Sequence, residues 1–151
     1  MGVSMLVDAI NSRRPSGATE NTVLGPFYIE GASVMEFGDN ICLDMKGQPM
    51  VVNGQVTDVD GNPLEGVKLE RNNRLPAHLH FIIRAEGYQE VTTYIFVPDD
   101  PHINDDAVFG VKESLLRDSM QIDDAAKAAE YGVANPFYEV VFNVVLAQAN
   151  D

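Results

Sequence analysis

Val3, Leu6, Val7 and Ile10 recur at helical spacing ahead of Arg13-Arg14-Pro15, so the pattern predicts a short amphipathic helix over residues 3–11. Beyond it the periodicity disappears. Pro15, Gly17, Gly25-Pro26, Gly31, Gly38 and Gly47 punctuate residues 15–48, which read as a long irregular arm. Compact domains seldom hold such a loop unless it carries function or lies across another surface. From Met50 the pattern turns to strands. Met50–Thr57 and Gly66–Glu70 flank the turn-rich Asp58-Val59-Asp60-Gly61-Asn62-Pro63, which predicts a hairpin. The spaced carboxylates and closing glutamate of a calcium loop are missing there. A third strand, Ala77–Ala85, turns through Glu86-Gly87-Tyr88-Gln89 and returns as Glu90–Val97. Tyr138–Ala147 is apolar on both faces, as a central strand is. Val111–Arg117 and Asp123–Tyr131 read as helical, the second with Asp123-Asp124 at the positive end of its dipole. The expectation is a mainly β, mostly antiparallel protein with a short N-terminal helix and late helical insertions. Residues 1–48 form the helix and arm, and residues 49–151 the β domain, in one folding unit.

Composition narrows the partners. Ten basic residues against twenty-three acidic ones leave a formal charge of −13, which repels nucleic-acid phosphates and anionic membrane surfaces. The single cysteine, Cys42, excludes an internal disulfide and a cysteine zinc cage; it reads as buried filler and fits a cytoplasmic setting. Met5-Leu6-Val7 followed by Arg13-Arg14 has the wrong charge order for a secretory signal. No run approaches transmembrane length.

The candidate chemistry lies in Arg74-Leu75-Pro76-Ala77-His78-Leu79-His80-Phe81, with two of the three histidines at i and i+2. Alternation along a strand puts His78 and His80 on one face, where they can serve one metal ion or one substrate. The same spacing also fits two ordinary hydrogen-bonded histidines on a sheet. His102, in a loop, reads as a surface residue.

Four stretches taken together go further. They are Ala18-Thr19-Glu20-Asn21-Thr22-Val23-Leu24-Gly25-Pro26-Phe27-Tyr28, Val52–Asp58 with Gly61-Asn62-Pro63, Pro76–Phe81, and Asp106-Ala107-Val108-Phe109-Gly110-Val111-Lys112. In this order they resemble the intradiol ring-cleavage dioxygenases, most closely the hydroxyquinol 1,2-dioxygenase branch. The resemblance implies a β-sandwich and a non-haem ferric ion held by two tyrosines and two histidines, which cleaves an aromatic diol with dioxygen. It maps the histidine ligands onto His78 and His80, and pocket walls onto Val23, Pro26, Phe27, Tyr28, Phe109 and Gly110. Arg74 stands one residue earlier than the family's arginine, with Leu75 between it and Pro76, and reaches substrate from a loop.

The chain also departs from this family. Only Arg71-Asn72-Asn73 separates Val67–Glu70 from Arg74, where the family runs through further strands and both ligand tyrosines, and no tyrosine lies between Tyr28 and Tyr88. Tyr94 is the candidate substitute. A hairpin loop of three or five residues places it on the face of His78 and His80; a loop of four does not. The resemblance favours the odd loop, and a phenol beside two imidazoles suits either a three-ligand metal site or general acid–base work.

Missing tyrosines favour a pocket that has lost ring-cleaving iron chemistry. On that reading the protein is a cofactor-independent acid–base enzyme, an isomerase, dehydratase or cyclase acting on a polyphenolic or enolic small molecule through His78, His80 and Tyr94. One alternative is a reduced iron dioxygenase holding Fe(III) through His78 and His80. Another is a non-catalytic small-molecule binding protein. The lost strands expose a sheet edge, which predicts a homodimer in which the arm or a neighbouring strand covers it.

Overall fold

The computed structural model describes residues 6, 7, 10, 13–22, 38–40, 47–71, 78–96 and 112–149. Among the described residues eight strands dominate: β1 (Met50–Asn53), β2 (Val56–Asp58), β3 (Lys68–Arg71), β4 (His78–Arg84), β5 (Val91–Phe96), β6 (Met120–Ile122), β7 (Phe137–Val141) and β8 (Val144–Leu146). The order β3-β4-β5 makes one antiparallel sheet. β7 lies between β1 and β6, and β8 pairs with β2. The protein is mostly β, as expected.

The pairings β1 with β7 and β2 with β8 are parallel, a departure from an all-antiparallel arrangement. The expected hairpin between Met50–Thr57 and Gly66–Glu70 does not form: β1 and β2 pair with β7 and β8, and β3 pairs with β4. Local turn chemistry explains the difference. The Asp58 carboxylate accepts hydrogen bonds from the Asp60 and Asn62 backbone amides and from Asn62 Nδ2, each at 2.9 Å. That closes the turn after a single bridge, Thr57 to Pro63, and leaves the strands free to pair with distant partners. The donors around Asp58, Asn62 first, hold its carboxyl below the ordinary carboxylate range.

The apolar stretch at the C-terminal end is two strands rather than one, and the break has a partner. Between β1 and β2, Gly54 approaches the carbonyl of Phe142 so closely that a Cβ there would lie 2.0 Å from its oxygen. Phe142 N donates to Asn53 O at 2.8 Å, and Val144 N to Gln55 O at 2.9 Å. Both strands of the parallel pair are therefore interrupted at the same level, and only glycine fits. β7 is the central strand of its sheet, as its two apolar faces predict.

Phe81, Ile83, Val91 and Ile95 from β4 and β5 join Val140 on β7, Phe142 between β7 and β8, and Val144 and Leu146 on β8 in a single buried cluster. Phe81 stacks on Phe142 with centroids 6.0 Å apart. This is the core of a sandwich, and all six residues of β5 are buried.

The expected helix near the C-terminal end spans Ala125–Tyr131. Asp124 caps it by accepting from Ala126 N and Lys127 N, and Gly132 ends it at φ 67. The stretch Val111–Arg117, expected to be helical, contains only the 3-10 turn Glu113–Leu115. Leu6, Val7 and Ile10 lie in helical backbone with exposed side chains.

The arm covers edges of both layers. Thr19 N donates to Val145 O at 2.9 Å, and Thr22 N to Thr92 O at 2.7 Å. The arm thus bonds to β8 on one side and to β5 on the other, and blunts an edge within the same chain.

Candidate functional site

His80 and Tyr94 stand directly opposite each other across β4 and β5. The last paired positions of β4 and β5 are Ile83 and Val91, so an odd number of residues, the seven of Arg84–Glu90, separates them, and the Arg84 and Glu90 side chains form an ion pair across the turn. The odd loop sets the register that brings even positions against even ones. Position 78 pairs with Phe96 one pleat further along, so backbone alternation puts positions 78, 80, 94 and 96 on one side of the sheet.

The pair is also a close one. Thr92 and Phe96 turn their carbonyls away from β4, since Thr92 O accepts from Thr22 N and Phe96 O from Arg117 N. Tyr94, between them, therefore belongs to a pair that exchanges no ladder bonds with His80, the geometry in which facing side chains approach most closely. The imidazole and phenol centroids lie 4.3 Å apart at 43°. Phe96 meets the Tyr94 ring edge-on at 5.6 Å. His80 is 6% exposed and Tyr94 4%, so both groups sit in the low-dielectric interior rather than on the surface.

A second buried polar cluster lies on the other sheet, under the helix. Glu139 on β7 accepts from Lys127 Nζ and from Asn53 Nδ2, both at 2.8 Å. Asn53 Nδ2 also donates to Tyr131 Oη at 3.3 Å. The Lys127 ammonium, then Asn53, hold the Glu139 carboxyl below its ordinary range, while Glu139 raises Lys127. Each carboxylate oxygen has its donor. The cluster pins the helix to the sheet.

Of the residues expected at the site, the structure brings His80 and Tyr94 together. It gives position 78 a backbone place in the same strand. Val23, Pro26, Phe27, Tyr28, Arg74, Phe109 and Gly110 lie outside the described residues, as do Cys42 and His102. Among the described residues no group of three or more His, Cys, Asp or Glu side chains stands ready for a metal ion.

Sequence reasoning missed Asn21 and Lys112. Asn21 Oδ1 accepts from Thr92 N at 2.9 Å, and Lys112 Nζ donates to Asn21 O at 2.7 Å. The signal was available, because both residues lie in the stretches that carry the family resemblance.

Residues 67–148 match the family described as Dioxygenase. The hydroxyquinol 1,2-dioxygenase of a Rhizobium species is 39% identical over 210 residues, an alignment that takes in 98% of this chain and 71% of that protein. The chain belongs to the intradiol ring-cleavage dioxygenase family. Among solved structures, hydroxyquinol 1,2-dioxygenase from Pseudomonas putida superposes with a TM-score of 0.85 at 31% identity, covering 98% of this chain and 73% of that one. Catechol 1,2-dioxygenase from Pseudomonas arvilla, at 22% identity and a TM-score of 0.75, shares the fold over 99% of this chain and 69% of its own.

These relatives correct one expectation. A pocket without a cofactor, working as an isomerase, dehydratase or cyclase, finds no relative among them; the matching proteins are hydroxyquinol and catechol 1,2-dioxygenases. The missing tyrosines weighed too heavily in that expectation, because it counted ligands by their place in the sequence. The Rhizobium alignment runs over 210 residues against 151 in the whole chain, so that relative holds a long stretch without counterpart here.

Proposed function

We propose that this family member is an iron-dependent intradiol dioxygenase acting on hydroxyquinol or catechol-type aromatic diols, with His78, His80 and Tyr94 as its Fe(III) ligands. The observation that carries this reading is the His80–Tyr94 pair, buried, directly opposed and 4.3 Å apart between rings. The donor set fits the ion. Two imidazoles and a phenolate combine borderline nitrogen donors with a hard anionic oxygen, which favours the ferric state, and three protein donors leave positions open for substrate. When bound, Fe(III) supplies the electron-accepting centre at which an aromatic diol becomes reactive toward dioxygen.

The protein's own groups have distinct tasks. Tyr94 Oη, as phenolate, takes the proton that a diol hydroxyl gives up on binding. The Phe96 ring, edge-on to Tyr94, supplies an apolar surface for a flat aromatic substrate. The family resemblance assigns further substrate contacts to Val23, Pro26, Phe27, Tyr28, Phe109 and Gly110, and Arg74 is the cation proposed for negative charge on the substrate. The exposed apolar side chains of Leu6, Val7 and Ile10 support a homodimer.

Oxygen uptake by the iron-loaded protein tests the reading. Consumption of one dioxygen per hydroxyquinol, with both oxygen atoms appearing in a ring-opened dicarboxylic acid, is expected. Conversion of the diol without oxygen uptake, or no conversion by protein holding iron, would sink it.

A further inference from the structure

The outer edge of β5 is held on both sides of Tyr94. At Thr92, Asn21 Oδ1 accepts the backbone N–H at 2.9 Å, and Thr22 N donates to the carbonyl at 2.7 Å. Thr22 Oγ1 adds a third contact, to the same carbonyl at 3.3 Å, and Thr22 is 1% exposed. At Phe96, Arg117 N donates to the carbonyl at 2.9 Å, beside the bridge from Phe96 to Leu116. Two separate chain segments, the arm and the stretch that follows β5, thus grip the edge one pleat before Tyr94 and one pleat after it.

The two grips are themselves joined. Lys112 Nζ donates to Asn21 O at 2.7 Å and pairs with Glu20 at 3.4 Å, while Ser114 Oγ bonds the same glutamate. Arg14 Nη2 also donates to Asn21 Oδ1, at 3.3 Å. Asn21 therefore does two jobs, one with its side chain and one with its backbone. Its side-chain oxygen takes the place of a neighbouring strand at the Thr92 amide, and its backbone carbonyl anchors Lys112.

We infer that Asn21 and Lys112 form a positioning bracket that fixes Tyr94 against His80. Neither residue is catalytic. The bracket acts where, among the described residues, β5 ends its sheet and the β4 side contributes no ladder bond at Tyr94 itself. Without it the strand edge shifts and the phenol loses its register with the imidazole. The inference deepens the dioxygenase reading and rests on it only for its ligand-binding consequence.

Substitutions at Asn21 separate this role from simple stability. Asn21→Asp keeps the oxygen that accepts from Thr92 N; Asn21→Ala removes it. Titration of the iron-loaded protein with 4-nitrocatechol under anaerobic conditions is expected to give roughly tenfold weaker binding for Asn21→Ala, equivalent to about 1.4 kcal/mol. Asn21→Asp should bind within about twofold of the parent, and Lys112→Met, which leaves Asn21 intact, should lose about threefold. In a Tyr94→Phe background the Asn21→Ala effect should vanish, because the bracket acts through Tyr94. Unchanged affinity in Asn21→Ala, or the same loss with Tyr94 already replaced, overturns the bracket.

A parent protein that binds no 4-nitrocatechol overturns the dioxygenase reading instead. The bracket is then judged by hydrogen exchange at the Tyr94 amide, which quickens in Asn21→Ala and Lys112→Met but not in Asn21→Asp. Equal exchange in all of them refutes it. If Asn21→Ala fails to fold, the Asp and Lys112→Met variants decide by the same measurements.

Discussion

Two buried polar clusters, one under the helix on β7 and one on β4 and β5, use their side chains in opposite ways. Under the helix, Glu139 has a donor on each carboxylate oxygen and sits beside Tyr131 in a set where charge is neutralised internally. On β4 and β5, His80 and Tyr94 are pressed ring against ring by strand register, at a sheet edge that other segments must hold in place. The first arrangement fastens an element; the second presents two titratable rings to a common face. Burial of a polar group therefore does not mark a site. What distinguishes the two is whether the geometry leaves the groups committed to each other or gathered toward a shared partner.

The largest expected effect falls on the ring pair. His80→Gln and Tyr94→Phe should each lower turnover of hydroxyquinol by about a hundredfold or more, the usual scale for losing a positioned acid–base group, with little change in melting temperature. Equal activity in Tyr94→Phe would return that ring to the core. Glu139→Leu makes the reverse prediction. It removes a fastener, so stability should fall by roughly 2 kcal/mol in urea unfolding, while kcat of the folded protein stays near the parent value. A Glu139 variant that unfolds normally but loses turnover would erase the distinction between the two clusters.

Gly54→Ala probes the break in β7–β8 next to the fastener. A methyl group 2.0 Å from the Phe142 carbonyl must push backbone aside, at a cost of about 1–3 kcal/mol. Ordinary stability in that variant would mean that the two parallel strands give way more easily than their bonds suggest.

The smallest effect is the dependence of the fastener on pH. Glu139 is lowered from an ordinary value of 4.5, so its contribution is complete above that value and is lost as pH falls through the folded value. Lys127 is raised from 10.5, so its contribution is complete below 10.5 and is lost as pH rises through the folded value. Glu139→Gln should flatten the acid limb of the stability curve; an unchanged limb would assign it to other carboxylates such as Asp58.

The facing of His80 and Tyr94 was legible in the chain, and what was hidden is instructive. His78-Leu79-His80 declared its face by alternation alone, and the loop length then decided Tyr94. The hairpin around Asp58 misled because a short turn and two flanking strands look alike whether or not the strands pair with each other. Their true partners, β7 and β8, lie 88 positions on, and no local signal records a parallel pairing at that distance. The helix at Ala125–Tyr131 was readable from its cap, but Met120–Ile122 was not seen as a strand, since three residues carry too little periodicity. Asn21 lies in a stretch that carries the family resemblance, but no local periodicity marks a side chain that substitutes for a strand.

The central claim is that Tyr94 is an iron ligand beside His80, and visible spectroscopy addresses it most directly. The iron-loaded parent protein should show the strong visible absorption of a ferric phenolate, and Tyr94→Phe should lose that band while keeping near-stoichiometric iron. A band that survives in Tyr94→Phe, or a parent protein that holds iron without colour, would contradict the account.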